Sequence, residues 1–115
     1  KCINSLVCIQ IGKIDNNFKK IILRAKEISR EKKANFYFVY LPEYWRYDLN
    51  SYPNETRNEI ISFLNKQQIN YIDLHEKLFS KMENPRELYA FKINNHYNLK
   101  GYKNVANEIF KNIFK

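Results

Sequence analysis

Two imidazoles, His75 and His96, are the groups in this chain best suited to proton transfer near neutral pH. His96 stands in INNHYNLKGYKNVANEIF, residues 93–110, immediately ahead of a strongly patterned terminal helix. An imidazole in such a loop can act as the general base that removes the proton from a hydroxyl nucleophile. It can equally be a polar loop residue hydrogen-bonded beside a helix N-terminus. His75 follows Asp73 on the first turn of a short helix and reads as a surface residue. The two histidines are far apart in sequence, and no Cys-x-x-Cys or His-Glu-x-x-His pattern accompanies them, so no metal site and no cofactor is expected. Cys2 and Cys8 are too few for a disulfide framework or a zinc site. Cys8 falls in an apolar run, where a buried thiol is the usual occupant, and six residues of extended chain would hold it far from Cys2.

The elements that must position His96 alternate along the chain. SLVCIQIG is rich in Val and Ile and ends at a glycine, which predicts a buried strand over Leu6–Ile11. DNNFKKIILRAKEISREKK then predicts an amphipathic helix capped by Asp15 or Asn16, with Phe18, Ile21, Ile22, Ala25 and Ile28 on its apolar face. NFYFVYLP is a second apolar run, stopped by Pro42, and predicts a strand over Phe36–Leu41. NETRNEIISFLNKQQ puts Ile60, Ile61, Phe63 and Leu64 along one helical side, with Asn54 or Thr56 as cap. INYIDL predicts a third strand at Tyr71–Ile72, and the Asp73–Glu76 spacing is that of a capping box opening a short helix through Phe79. The last helix carries Tyr102, Val105, Ala106, Ile109, Phe110 and Ile113, a stripe expected to face a core.

This alternation predicts an α/β fold with a parallel sheet, because parallel neighbours need crossover connections. The 115 residues make a single α/β domain, or the C-terminal part of one. Since open parallel sheets bind ligands outside the carboxyl ends of their strands, four segments are expected together on one edge. They are Gly12 to Asn17, Pro42 to Asn54, the helix start at Asp73, and the segment leading to His96. The second is long for a strand-to-helix loop, where ~2 to 6 residues is common. It holds Tyr44, Trp45, Tyr47 and Tyr52, as a binding wall would, or as a loop pinned to the body by its aromatics.

Composition narrows the classes. The hydrophobic share of 44% and aromatic share of 16% argue for a packed fold and against disorder. No apolar run approaches the ~20 residues of a membrane span, and no signal peptide opens the chain. The first residue is not Met, which reads as a fragment or a processed product. Net charge is +8, yet the basic residues are interleaved with Glu on helix faces and no nucleic-acid motif accompanies them, so nucleic acid is not an expected partner.

His96, Asn98, Gly101, Val105 and Ala106 resemble the final sequence block of the SGNH (GDSL-like) hydrolases. In that block an Asp shortly precedes a His, followed by Asn, Gly and a helix with a Val-Ala pair. IQIGKID and FVYLP occupy the places of that family's G-x-N-D block and of its strand ending in Leu-Pro, so the resemblance runs from about Leu6 to the end of the chain. It implies a three-layer α/β/α sandwich with a parallel sheet, flavodoxin-like in outline and here incomplete at the N-terminus. The family's nucleophilic serine block does not occur in these residues, and Ser5, Ser29, Ser51, Ser62 and Ser80 lack the strand-to-turn context of an exposed nucleophile. Ile14 stands where the family has its oxyanion-binding asparagine, and Asn94 with Ile93 where it has the orienting Asp.

The resemblance implies an ester hydrolase acting on acyl or carbohydrate esters. His96 would be the general base, Asn94 would lie in the orienter's neighbourhood, Gly12 and Asp15 would border the oxyanion site, and Tyr44 and Trp45 would form a substrate wall. This chain alone is then expected to be inactive, because a base without a nucleophile forms no acyl intermediate. The alternative is a non-catalytic α/β module that binds a glycan or protein partner through the aromatic loop 42–54. If strands are missing, the sheet would expose an edge that a second copy could cover.

Overall fold

Asp15 opens the first long helix as its sequence predicts: its carboxylate accepts the backbone N–H of Phe18 at 2.7 Å, satisfying one of the orphan donors of the first turn. A computed structural model of the chain describes residues 14–115 and the backbone of Cys2–Asn4 and Val7–Cys8. The elements are β1 (Cys2–Asn4), β2 (Val7–Cys8), α1 (Asn16–Glu31), β3 (Tyr37–Tyr40), α2 (Trp45–Asp48), α3 (Glu55–Lys66), β4 (Asn70–Asp73), α4 (Leu74–Lys77) and α5 (Leu99–Ile113), with short 3₁₀ turns between α4 and α5. The chain divides into two compact units, one of Lys1–Phe36 with Pro53–Asn70 and one of Tyr37–Tyr52 with Tyr71–Lys115.

In the first unit, α1 and α3 are joined by the Lys26 ammonium, which donates to the carbonyl of Gln67 at 2.6 Å, and by Lys19 over the Phe63 ring. Leu64 and Ile69 are buried here. The apolar face expected of α1 is only partly covered: the helix has no buried residue, and Ile21 is 66% exposed.

The expected parallel sheet forms in part. β3 and β4 pair in parallel, joined by the crossover through α3 that such pairing requires. The strand expected over Leu6–Ile11 does not join them in its described part. Val7–Cys8 instead pairs antiparallel with Cys2–Asn4 in a separate two-stranded ribbon, while residues 9–13 lie outside the described residues. A partner only two residues away along the chain costs little loop-closure entropy, which favours this local pairing over a distant parallel one. Its register sets Cys2 opposite Cys8, so the chain folds back where the sequence suggested an extended separation.

The core of the second unit is built from Tyr44, Ile72, Leu74, Phe79, Leu88, Tyr89 and Val105. Phe79, Leu74 and Leu88 are fully buried, each contributing about 1.5–3 kcal/mol of transfer free energy. On α5 only one edge of the expected stripe meets this core. Val105 is buried and Ile109 and Ile113 pack against it, whereas Tyr102 and Phe110 face solvent. Among the described residues no helix is long and apolar enough to cross a membrane.

Candidate functional site

His96 lies on a loop whose ends are tied together before α5 begins. Tyr89 and Tyr97 form an antiparallel bridge, the N–H of Ala90 donates to the carbonyl of His96 at 2.8 Å, and the N–H of Asn98 donates to the carbonyl of Leu88 at 2.9 Å. The tip is thereby reduced to residues 91–95. Phe91 and Lys92 there adopt φ of 56° and 52°, the left-handed region that non-glycine residues rarely enter. The Tyr44 hydroxyl holds that turn by donating to the carbonyl of Lys92 at 2.7 Å.

The loop is fastened to the end of β3 by two phenols on one acceptor. The Tyr89 and Tyr97 hydroxyls both donate to the carbonyl of Pro42, at 2.7 and 3.0 Å, two residues beyond the last residue of β3. Pro42 has no N–H with which to continue the ladder of the strand before it, and the two lone pairs of its carbonyl are both used. Behind the phenols the rings pack on one another: Tyr89 and Tyr97 at 5.0 Å between centroids, Tyr97 and Phe79 at 5.5 Å, and Phe79 stacked on Tyr47 with 10° between planes. Burial raises the Tyr47 and Tyr89 phenols well above their ordinary range, and burial pushes Tyr97 up to about 12. All three therefore remain neutral donors at physiological pH.

Asn98 and Gly101 seat the loop on α5. The Asn98 carboxamide caps the helix by accepting the N–H of Gly101 at 2.9 Å, and its amide nitrogen donates to the carbonyls of Glu87 at 2.7 Å and Tyr89 at 3.3 Å. Gly101 is buried against the backbone of Leu88, where a Cβ would overlap the carbonyl oxygen. Both residues thus have mechanical reasons to stand where they do.

His96 itself is exposed. Its backbone N–H donates to the Asn95 side chain at 2.8 Å, and among the described residues no side chain is hydrogen-bonded to its imidazole. Asn94 is exposed on the tip and makes no hydrogen bond to His96. Tyr44, expected on a wall, is a core residue at 6% exposure, and Trp45 packs edge-on against it at 5.5 Å on α2. The other aromatics of the 42–54 segment are also engaged: the Tyr52 hydroxyl donates to Glu43, and the Arg46 guanidinium lies 4.6 Å over the Tyr52 ring. Asp15 caps α1 in the first unit, and Gly12 lies outside the described residues.

One feature escaped the sequence reading: His75 is half-buried, not a surface residue, with Nδ1 2.8 Å from the Tyr47 hydroxyl. Asp73, 1% exposed at the end of β4, is the N-cap that its spacing to Glu76 predicts, accepting the N–H of His75 at 3.1 Å and that of Glu76 at 3.4 Å. The symmetric placing of Tyr89 and Tyr97 about the loop was the available signal for its closure, since cross-strand aromatic pairs stabilise such bridges. Among the described residues no group of three or more His, Cys, Asp or Glu side chains could hold a metal ion. Comparison of the chain with protein-family models, with curated proteins and with solved structures finds no match.

Proposed function

We propose that this chain is the C-terminal part of an SGNH-like ester hydrolase of three-layer α/β/α architecture, with His96 as general base and the nucleophilic serine outside these residues. One observation carries the reading. The loop bearing His96 is pinned through Tyr89 and Tyr97 to the carbonyl of Pro42, at the carboxyl end of a parallel strand, which is the edge where open parallel sheets bind their ligands. In this scheme His96 takes the serine proton as Oγ bonds to the ester carbonyl carbon. It returns that proton to the departing alcohol, and water repeats the sequence on the acyl-enzyme. Trp45, in the same unit as His96, flanks an acyl or carbohydrate ester. The exposure of the His96 imidazole fits a base that a substrate can reach.

The test is hydrolysis of a simple activated ester by the full-length protein and by this chain. The full-length protein is expected to turn over and the 115-residue chain is not. His96→Ala in the full-length protein should lower the rate by about 10²- to 10⁴-fold with an unchanged far-UV spectrum. Asn94→Asp should raise it by supplying the carboxylate that orients the imidazole. Equal rates with and without His96 would overturn the reading.

A further inference from the structure

The terminal helix is apolar on two sides, and only one of them has a partner among the described residues. Gly101, Val105, Ile109 and Ile113 run down the side that packs on the core. Leu99, Tyr102, Phe110 and Phe114 follow a second line at helical spacing, and they are 86%, 55%, 62% and 68% exposed. The Phe110 and Phe114 rings pack on each other at 4.8 Å between centroids, which makes the lower half of that line a continuous aromatic surface. An isolated exposed leucine needs no explanation, whereas four large side chains in register form a patch of the kind that marks an interaction site.

The charges beside this line are of one sign. Lys100, Lys103 and Lys111 are exposed on the helix, and Lys103 lies four residues after Leu99, on the apolar line itself. The single acid of α5, Glu108, is mostly buried at 20% side-chain exposure; it approaches Lys111 only at 4.0 Å, and Glu87 approaches Lys100 only at 3.9 Å. The exposed Lys100–Glu87 pair is weak, and Lys111, whose ammonium is itself exposed, meets Glu108 only at the outer limit of an ion pair, which leaves both lysines available.

We infer that α5 lies flat on an anionic lipid surface, its Leu99–Phe110–Phe114 line entering the acyl boundary and its lysines meeting the headgroups. The charge pattern selects this occupant. A second copy pairing through the same face would bring Lys103 and Lys111 of one chain against those of the other. Nucleic acid would engage the lysines and leave the phenylalanines in water. With 15 residues α5 is too short to span a bilayer, so it lies on the surface. This inference does not depend on the ester chemistry.

The experiment is co-sedimentation of the chain with vesicles of phosphatidylcholine alone and of phosphatidylcholine mixed with phosphatidylglycerol. Binding is expected to the mixed vesicles only, weakening as salt is raised. Lys103→Glu with Lys111→Glu should lower the partition at least about 30-fold, each lysine near an anionic surface counting for about a factor of five. Leu99→Ser with Phe110→Ser should also lower it about tenfold or more, with far-UV circular dichroism confirming that both variants fold. In Phe110→Trp, the tryptophan emission should shift to the blue on mixed vesicles. No sedimentation with the mixed vesicles, equal sedimentation with both kinds, or unchanged binding in the Leu99/Phe110 variant would overturn the inference. So would a concentration-dependent dimer that the same serine substitutions dissolve.

Discussion

Gly101 leaves no space for a methyl group: a Cβ would overlap the Leu88 carbonyl oxygen and come within 2.9 Å of the Tyr97 Cβ, and backbone cannot swing aside as a flexible side chain can. Gly101→Ala should therefore destabilise the chain by about 1–3 kcal/mol, read as a lowered urea midpoint, by prying the first turn of α5 from the loop. Asn98→Ala should cost about 1–2 kcal/mol, since it removes a helix cap and two donors to loop carbonyls. Asn98→Asp separates those roles, keeping the cap while placing a carboxylate against the carbonyls of Glu87 and Tyr89. It should thus fall between the wild type and the alanine variant. His96→Ala, at an exposed imidazole, should change stability by no more than about 0.5 kcal/mol. The contrast is informative because the His, Asn and Gly belong to one short block: two hold the loop in place, and the third is what the loop holds out.

The helices show how a chain with two glycines ends its elements. Both α1 and α3 close with the paired hydrogen bonds of a Schellman motif: Ala34 to Ser29 and Lys33 to Arg30 after the first, Ile69 to Leu64 and Gln68 to Asn65 after the second. The left-handed residue is Lys33 at φ 55° in one and Gln68 at φ 52° in the other, positions glycine usually fills. Lys33→Gly and Gln68→Gly should each stabilise by about 0.5–1 kcal/mol and raise the thermal midpoint, whereas glycine at a regular helical position such as Glu27 should lower it by a similar amount. These closures were not legible in the sequence because the residue that normally signals them is absent. What was legible follows from periodicity and local chemistry: the three long helices, the Asp15 and Asp73 caps, and the strands ending at Pro42 and Asp73; the Asn98 cap of the last helix was not among the expected ones. The apolar run at Val7–Cys8 misled because strand propensity does not name a partner, and Cys2–Asn4 was the nearer one. The α5 stripe misled in the same way, since spacing marks an apolar face without saying how much of it a core covers. The 42–54 aromatics resolved toward packing: Tyr44 and Tyr47 fill the core side, and α2 lies inside what reads as loop. For the site, the sequence set the segment leading to His96 on one edge with Pro42 only as an expectation; the phenols of Tyr89 and Tyr97 that fasten that loop to Pro42 were not legible, because their acceptor lies about fifty residues away.

All nine tyrosines and Trp45 belong to the second unit, so its integrity has its own optical signature. The Tyr97 phenol, raised by burial from an ordinary 10.0 to about 12, and the still higher Tyr47 and Tyr89 bind their protons more tightly in the folded state than in the unfolded one. Below pH 10 both states are protonated there and the stabilisation is complete. Above it the unfolded chain loses these protons first, so stability falls with each pH increment until the folded phenols also ionise. The Pro42 carbonyl then loses its donors, and anionic rings cannot remain in the aromatic cluster. Alkaline titration should therefore show a transition of the second unit between about pH 10 and 12, in which phenolate absorbance and near-UV circular dichroism change together. Tyr89→Phe, which removes one phenol from Pro42, should lower neutral-pH stability by about 1 kcal/mol and move that transition to lower pH. A near-UV signal that outlasts the rise in phenolate absorbance would show instead that the ring cluster keeps its packing after the phenols ionise.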